Sequence, residues 1–193
     1  MDALTHAIEG YVSTEWNAHG DAFALQAIRM IRDNLERAVA DTSDDEARGN
    51  MLVAANLAIQ PSGSGAIGAT HSMSHPCGGH YGVPHGVANA INLPWVIEYN
   101  AAGGEEIADR YRVICDVIGT EAPGSGGDVG KALGDEVRAL TGRLGLPQRL
   151  SEVGVPEDGI PRLVEGAMGD GCTLVNAREL TEEDFAELYR KAL

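Results

Sequence analysis

Apolar residues recur at helical spacing along most of this chain. The clearest case is AFALQAIRMIRDNLERAVA, beginning at Ala22, where Leu25, Ile28, Ile31, Leu35 and Val39 fall on one side. Residues 2–13 repeat the pattern through Ala3, Leu4, Ala7, Ile8, Tyr11 and Val12. Ser43-Asp-Asp-Glu46 has the form of a capping box and predicts a helix running to about Leu57. Pro61-Ser-Gly-Ser-Gly interrupts the pattern. A short helix carrying His71 and His75 follows, then a turn through Cys77-Gly78-Gly79. Another helix starts near His85, and Pro94 is expected to kink or end it. Residues 105–117, with Ile107, Tyr111, Ile114 and Val117 on one side, and residues 129–144 read as two more, joined by a flexible connector over 119–127. Short pieces then lead to Thr181-Glu-Glu-Asp184, which caps a last helix reaching Leu193. No stretch of five or more residues alternates convincingly between polar and apolar, so the fold class is all-α.

A length of 193 residues suits one substantial domain. A hydrophobic fraction of 44% with only two Trp and two Phe describes an aliphatic, Ala-rich core, which favours helices. Twenty-nine acidic against 14 basic residues give a net charge of −15, which argues against nucleic acid and anionic membrane surfaces as partners. Lys131 and Lys191 are the only lysines. Cys77, Cys115 and Cys172 are odd in number and widely spaced, with no CxxC pair, which predicts a reducing, cytoplasmic compartment and no disulfide framework. No apolar run approaches the roughly 20 residues needed to cross a bilayer.

Chemistry concentrates in GATHSMSHPCGGHYGVPHG, from Gly68 to Gly86, which holds four of the six histidines. His71 and His75 are four apart and share a helix face, and Asp2 and His6 in MDALTHAIEG have the same spacing. With His85 they offer one carboxylate and several imidazoles, a donor set for a divalent first-row metal. Burying two such polar pairs among Ala, Gly and Ile is costly unless a partner satisfies them, and a metal does so. A candidate ligand one residue from the chain start, where fraying is expected, predicts that Met1 is internal to a longer protein. His80 in the turn and His19 in a polar loop read as outward-facing side chains, and Cys77 as a small buried one. Cys115 and Cys172 show no partners in the sequence, and the acidic run 41–46 reads as a solvated loop and helix start. Glu9 and Asp21 are either acceptors for imidazole N–H groups or ordinary surface acids. GSGAIG at 63–68 matches the glycine spacing of dinucleotide loops. It lacks the preceding strand and the acidic residue about 20 positions on, so it is expected to let helices pack closely beside a site.

DALTHAIEGYVS and GATHSMSHPCGGHYGVPHG resemble the signatures of the iron-containing (group III) alcohol dehydrogenases, and CTLVNARELTEEDF is similar to that family's C-terminal end. The resemblance spans the whole chain but only the second half of the family pattern, the helical metal-binding domain that follows a Rossmann-like cofactor domain. It implies that residues 1–193 form this one helical domain, with the nucleotide-binding domain absent. It implies Asp2, His6, His71 and His85 as ligands of Fe²⁺, with Zn²⁺ as the alternative. His75 is implied to lie near metal and nicotinamide without ligating, where an imidazole suits catalytic proton exchange. The implied function is metal-dependent conversion of a small alcohol to an aldehyde or ketone, with NAD or NADP held through the missing domain and a homo-oligomer at full length. Cys77, where an aliphatic residue is usual, and the Pro-Ser-Gly-Ser-Gly run depart from the pattern and bear on substrate size. Two other readings stand beside this one: a non-catalytic metal-binding fragment, and a metal-dependent lyase or hydrolase of the same superfamily. A phosphate-bearing substrate for the latter calls for basic residues at the site, and only Arg110 and Arg112 cluster.

Overall fold

The computed structural model describes residues 1–15, 17–61 and 67–193, and these form an all-α bundle. The helices are α1 (Asp2–Val12), α2 (Ala18–Ala40), α3 (Asp45–Ile59), α4 (Ala69–Tyr81), α5 (His85–Ala101), α6 (Glu105–Ile118), α7 (Gly126–Arg143), α8 (Ile160–Met168) and α9 (Glu182–Ala192). Short 3-10 turns at Leu150–Val153, Glu157–Gly159 and Gly171–Val175 complete the second half. No helix among the described residues is long and apolar enough to cross a membrane.

Two apolar clusters lie on either side of α5. One joins α1, α2, α6 and α7 through Ile8, Ile28, Ile31, Tyr111, Ile114 and Leu133, and α5 gives it Leu93 and Ile97. The other joins α4, α8 and α9 through Met73, Leu163, Phe185 and Tyr189, and α5 gives it Ala88, Ile91 and Val96. Because α5 is buried on both sides, it lacks the one-sided pattern of a surface helix. This position also accounts for Pro94. The helix continues past it to Ala101, because close packing against α7 outweighs one lost backbone hydrogen bond. Gly130 and Gly134 of α7 allow that approach: a Cβ on Gly130 would lie 3.0 Å from the Glu98 Cα, and one on Gly134 would lie 3.1 Å from the Pro94 carbonyl.

Three further boundaries differ from expectation. The turn foreseen at residues 77–79 is helical; α4 runs through Pro76 to Tyr81 and ends at Gly82, whose φ of 68° is the left-handed stop that the earlier glycines do not supply. Packing between α5 and α8 holds these poor helix formers in the helix. The N-cap of α3 is Asp44, which accepts from the Ala47 amide at 2.9 Å, whereas Ser43 donates to Asp41. Helix α7 begins at Gly126, inside the expected connector, because Ser125 and Asp128 form a reciprocal capping box. Only Pro61 at one end and residues 67–68 at the other are described for the run from Pro61 to Gly68, so its proposed role in helix packing lies outside the described residues.

Candidate metal centre

Asp2, His6 and Glu9 follow one another at i, i+4 and i+7 and so share the face of α1 that meets the N-terminal ends of α4 and α5. His71 stands in the first turn of α4 and His85 opens α5. The Asp2 carboxylate is the common point. Its Oδ1 lies 3.5 Å from His6 Nδ1, 3.8 Å from His71 Nε2 and 3.3 Å from His85 Nε2. Ligand atoms of Asp2, His6 and His71 all fall within 4.8 Å of one another. The rings are close as well, with centroids 4.3 Å apart for His6 and His71 and 5.2 Å for His71 and His85. Asn89, one turn after His85, donates to Asp2 Oδ1 at 2.7 Å and orients it.

Glu9 is buried at 3% exposure and faces three donors. It accepts from the Gly68 amide at 2.8 Å, the Thr70 amide at 2.6 Å and His71 Nδ1 at 2.5 Å. The carboxylate thus satisfies the free N–H groups at the start of α4 and also sets the orientation of the His71 ring. With Nδ1 committed to Glu9, His71 Nε2 faces Asp2, and it is buried with no hydrogen-bond partner. At 3.8 Å the contact with Asp2 is too long for a hydrogen bond. A buried imidazole nitrogen left without a partner beside a carboxylate and two more imidazoles fits a divalent cation.

The electrostatics agree with that fit. The imidazoles of His6 and His71 hold the Asp2 carboxyl far below the usual range, against partial burial. Burial favours neutral Glu9, but His71 and the amides of Gly68 and Thr70 outweigh it and keep its pKa low. Burial also opposes charge on His71, yet the Asp2 and Glu9 carboxylates raise its pKa to about 9. The two acids are therefore charged, and without a metal a proton on His71 compensates them.

His75 occupies the rim. Its exposed ring lies nearly parallel to that of His85, 5.3 Å away, and Nδ1 meets Asp170 Oδ2 at 2.6 Å. Asp170 Oδ1 accepts from the Cys172 amide at 2.9 Å, and ligand atoms of His75, Asp170 and Cys172 again lie within 4.8 Å of one another. Burial, with help from Asp170, pushes the Cys172 thiol up to about 12.

The structure thus brings Asp2, His6, His71 and His85 together, with His75 adjacent. His80 is exposed in the last turn of α4, and His19 is exposed and stacks edge-on against Phe23. Cys77 is fully buried and donates to the Met73 carbonyl. Of the two acids weighed as imidazole acceptors, Glu9 takes that role. Asp21 instead pairs with Arg110 at 2.6 Å. Asp170 and Cys172 carry no signal of this contact in the sequence, because both lie in a segment without periodicity, distant in sequence from the histidines. Arg110 also reaches the Tyr11 carbonyl, and Arg112 pairs with Glu105 and Asp109; none of these partners is Asp2 or one of the clustered histidines.

Comparison with known proteins agrees with this geometry. Residues 1–193 match the model of the Fe-containing alcohol dehydrogenase family, C-terminal. The chain is 41% identical over 193 residues to a 1,3-propanediol dehydrogenase of Citrobacter freundii, covering 100% of this chain and 49% of that protein. It is 40% identical over the same length to a lactaldehyde reductase of Escherichia coli (strain K12), again 100% and 49%. A solved structure of a 1,3-propanediol oxidoreductase superposes with a TM-score of 0.93 at 38% identity, covering 100% of this chain and 50% of that one. The chain spans about half the length of the curated relatives it matches. With the family pattern matched along its whole length and a donor cluster suited to a divalent ion, the chain belongs to the Fe-containing alcohol dehydrogenase family.

Proposed function

We propose that this chain supplies the metal-binding and substrate half of an NAD(P)-linked alcohol dehydrogenase, with the nicotinamide cofactor held by a nucleotide-binding domain outside residues 1–193. The observation that carries this reading is the partnerless, buried Nε2 of His71 beside Asp2, His6 and His85. Asp2, His6, His71 and His85 would hold one divalent ion of the iron type. When bound, such an ion supplies Lewis-acid polarisation of an alcohol or carbonyl oxygen.

The remaining steps belong to the chain's own residues. Glu9 keeps the His71 ring in one orientation, and Asn89 does the same for the Asp2 carboxylate. His75 donates from Nδ1 to Asp170, which leaves Nε2 free to take or give a proton. Because His75 is exposed, that proton exchanges with water. The relatives act on 1,3-propanediol and lactaldehyde by name, which supports a small alcohol or aldehyde as substrate. A phosphate-bearing substrate fits less well, since Arg110 is bonded to Asp21 and the Tyr11 carbonyl and Arg112 to Glu105 and Asp109.

The test joins this chain to a family nucleotide-binding domain and follows alcohol-dependent reduction of NAD and NADP. We expect turnover in the metal-loaded parent. His75→Gln should retain the metal and lower turnover. A metal-loaded, folded fusion without turnover on any small alcohol contradicts the proposal.

A further inference from the structure

We propose that His75, Asp170 and Cys172 form a second divalent-cation site, of zinc type, at the rim of the first. An imidazole, a carboxylate and a thiol present ligand atoms within 4.8 Å of one another, from α4 on one side and the start of the 3-10 turn Gly171–Val175 on the other. Three protein donors with an open fourth position are the usual arrangement of an accessible zinc site. The sulfur sets this group apart from the Asp2 cluster, whose donors are oxygen and nitrogen alone, and selects a borderline or soft ion over magnesium or calcium.

The surroundings hold these donors in place. Asp170 Oδ1 is taken by the Cys172 amide, which leaves Oδ2 turned toward His75. The turn itself is pinned to α4, because Thr173 Oγ1 donates to Ser72 Oγ at 2.9 Å. Access is open from solvent: His75 is exposed, and Asp170 and Cys172 are half-buried. Cys77 and Cys115 are buried, so Cys172 is the cysteine an incoming ion reaches. On binding, the ion replaces the His75–Asp170 hydrogen bond, and the Cys172 thiol releases its proton to solvent. A site occupied in this way removes His75 from proton exchange, so zinc beyond the first equivalent inhibits turnover. That last consequence alone rests on the role given to His75 above.

The experiment titrates the metal-free 193-residue chain with cobalt(II) and follows bound stoichiometry together with the near-ultraviolet thiolate-to-cobalt absorption. The parent is expected to bind two equivalents and to show the thiolate band. Cys172→Ser should lose the band and one equivalent while keeping the other. His71→Ala should keep the band and lose the sulfur-free equivalent. Absence of the thiolate band in the parent, or its persistence in Cys172→Ser, overturns the proposal. Failure of the Asp2-cluster reading looks different: His71→Ala would retain its sulfur-free equivalent and the band would be unaffected.

Discussion

One buried carboxylate, Glu9, sets two things at once, closing the N-terminus of α4 and orienting His71. Glu9→Gln keeps the shape but turns an amide NH₂ toward a group of donors, so one of them loses its acceptor. We expect a destabilisation of about 1–3 kcal/mol and a metal affinity weakened about 10–100-fold, the first read by thermal melting and the second by competition with a chelator. Unchanged affinity in a folded variant would show that His71 needs no such support. Gly68 tests the same corner sterically. A Cβ there would lie 2.8 Å from Asn176 Oδ1 and 3.2 Å from Glu9 Oε1. Gly68→Ala should therefore lower stability by about 1–3 kcal/mol, measured by denaturant unfolding. At this scale the pairing of Asp2 with His6 was legible from i,i+4 spacing, since a helix brings such residues to one face, whereas the candidate set of four, with His85 in it and His75 outside it, came from the resemblance to the family motifs. The His75–Asp170 contact was not, because 95 residues separate the pair and only tertiary structure joins them.

At the scale of elements, helices with a one-sided apolar pattern were readable, and those buried on several sides were misread at their glycines and prolines. Helices α4 and α5 continue through Pro76 and Pro94 because neighbours on both sides hold them. The segment from Asp170 to Asn176 carried no periodic signal, yet it runs along α4 in regular contact: Asp170 with His75, Thr173 with Ser72, and Asn176 with the Ala69 amide. Steps of three residues on each strand of contact match the 3-10 turn to one face of the helix. Capping gives two tests. Asp44→Ala should cost about 1 kcal/mol by thermal melting and Ser43→Ala less, the reverse of what the capping-box pattern implies. In α9, burial works against the Asp184 carboxylate, but bonds from the Thr181 side chain and amide hold its pKa below the ordinary value. A depressed carboxylate stabilises the fold above its unfolded pKa, and that contribution fades as the pH falls through the folded value. Asp184→Asn should therefore lower the melting temperature at pH 7 and make a smaller difference in acid. An equal difference at both pH values would contradict the capping role.

For the whole molecule, the candidate metal cluster sits where α1, α4 and α5 meet, between the two apolar cores, so the proposed ligands come from helices that each core positions separately. Ion binding then acts as a clasp between the two sides and couples to folding. With free metal at a thousand times its dissociation constant the added stability is about 4 kcal/mol, and for a chain of this size chelation should lower the melting temperature by about 10 °C. The all-α class followed from the apolar pattern, and the meeting of the chain start with the stretch 68–86 from spacing and motif. The division into two cores did not, because α5 contributes to both and shows no single face. The most direct test of the account is the iron content of anaerobically loaded protein. The parent should hold close to one iron per chain, and His71→Ala and His85→Ala should lose it while remaining folded by circular dichroism. Iron content equal to that of the parent in both folded variants would contradict the assignment of Asp2, His6, His71 and His85 as the metal site.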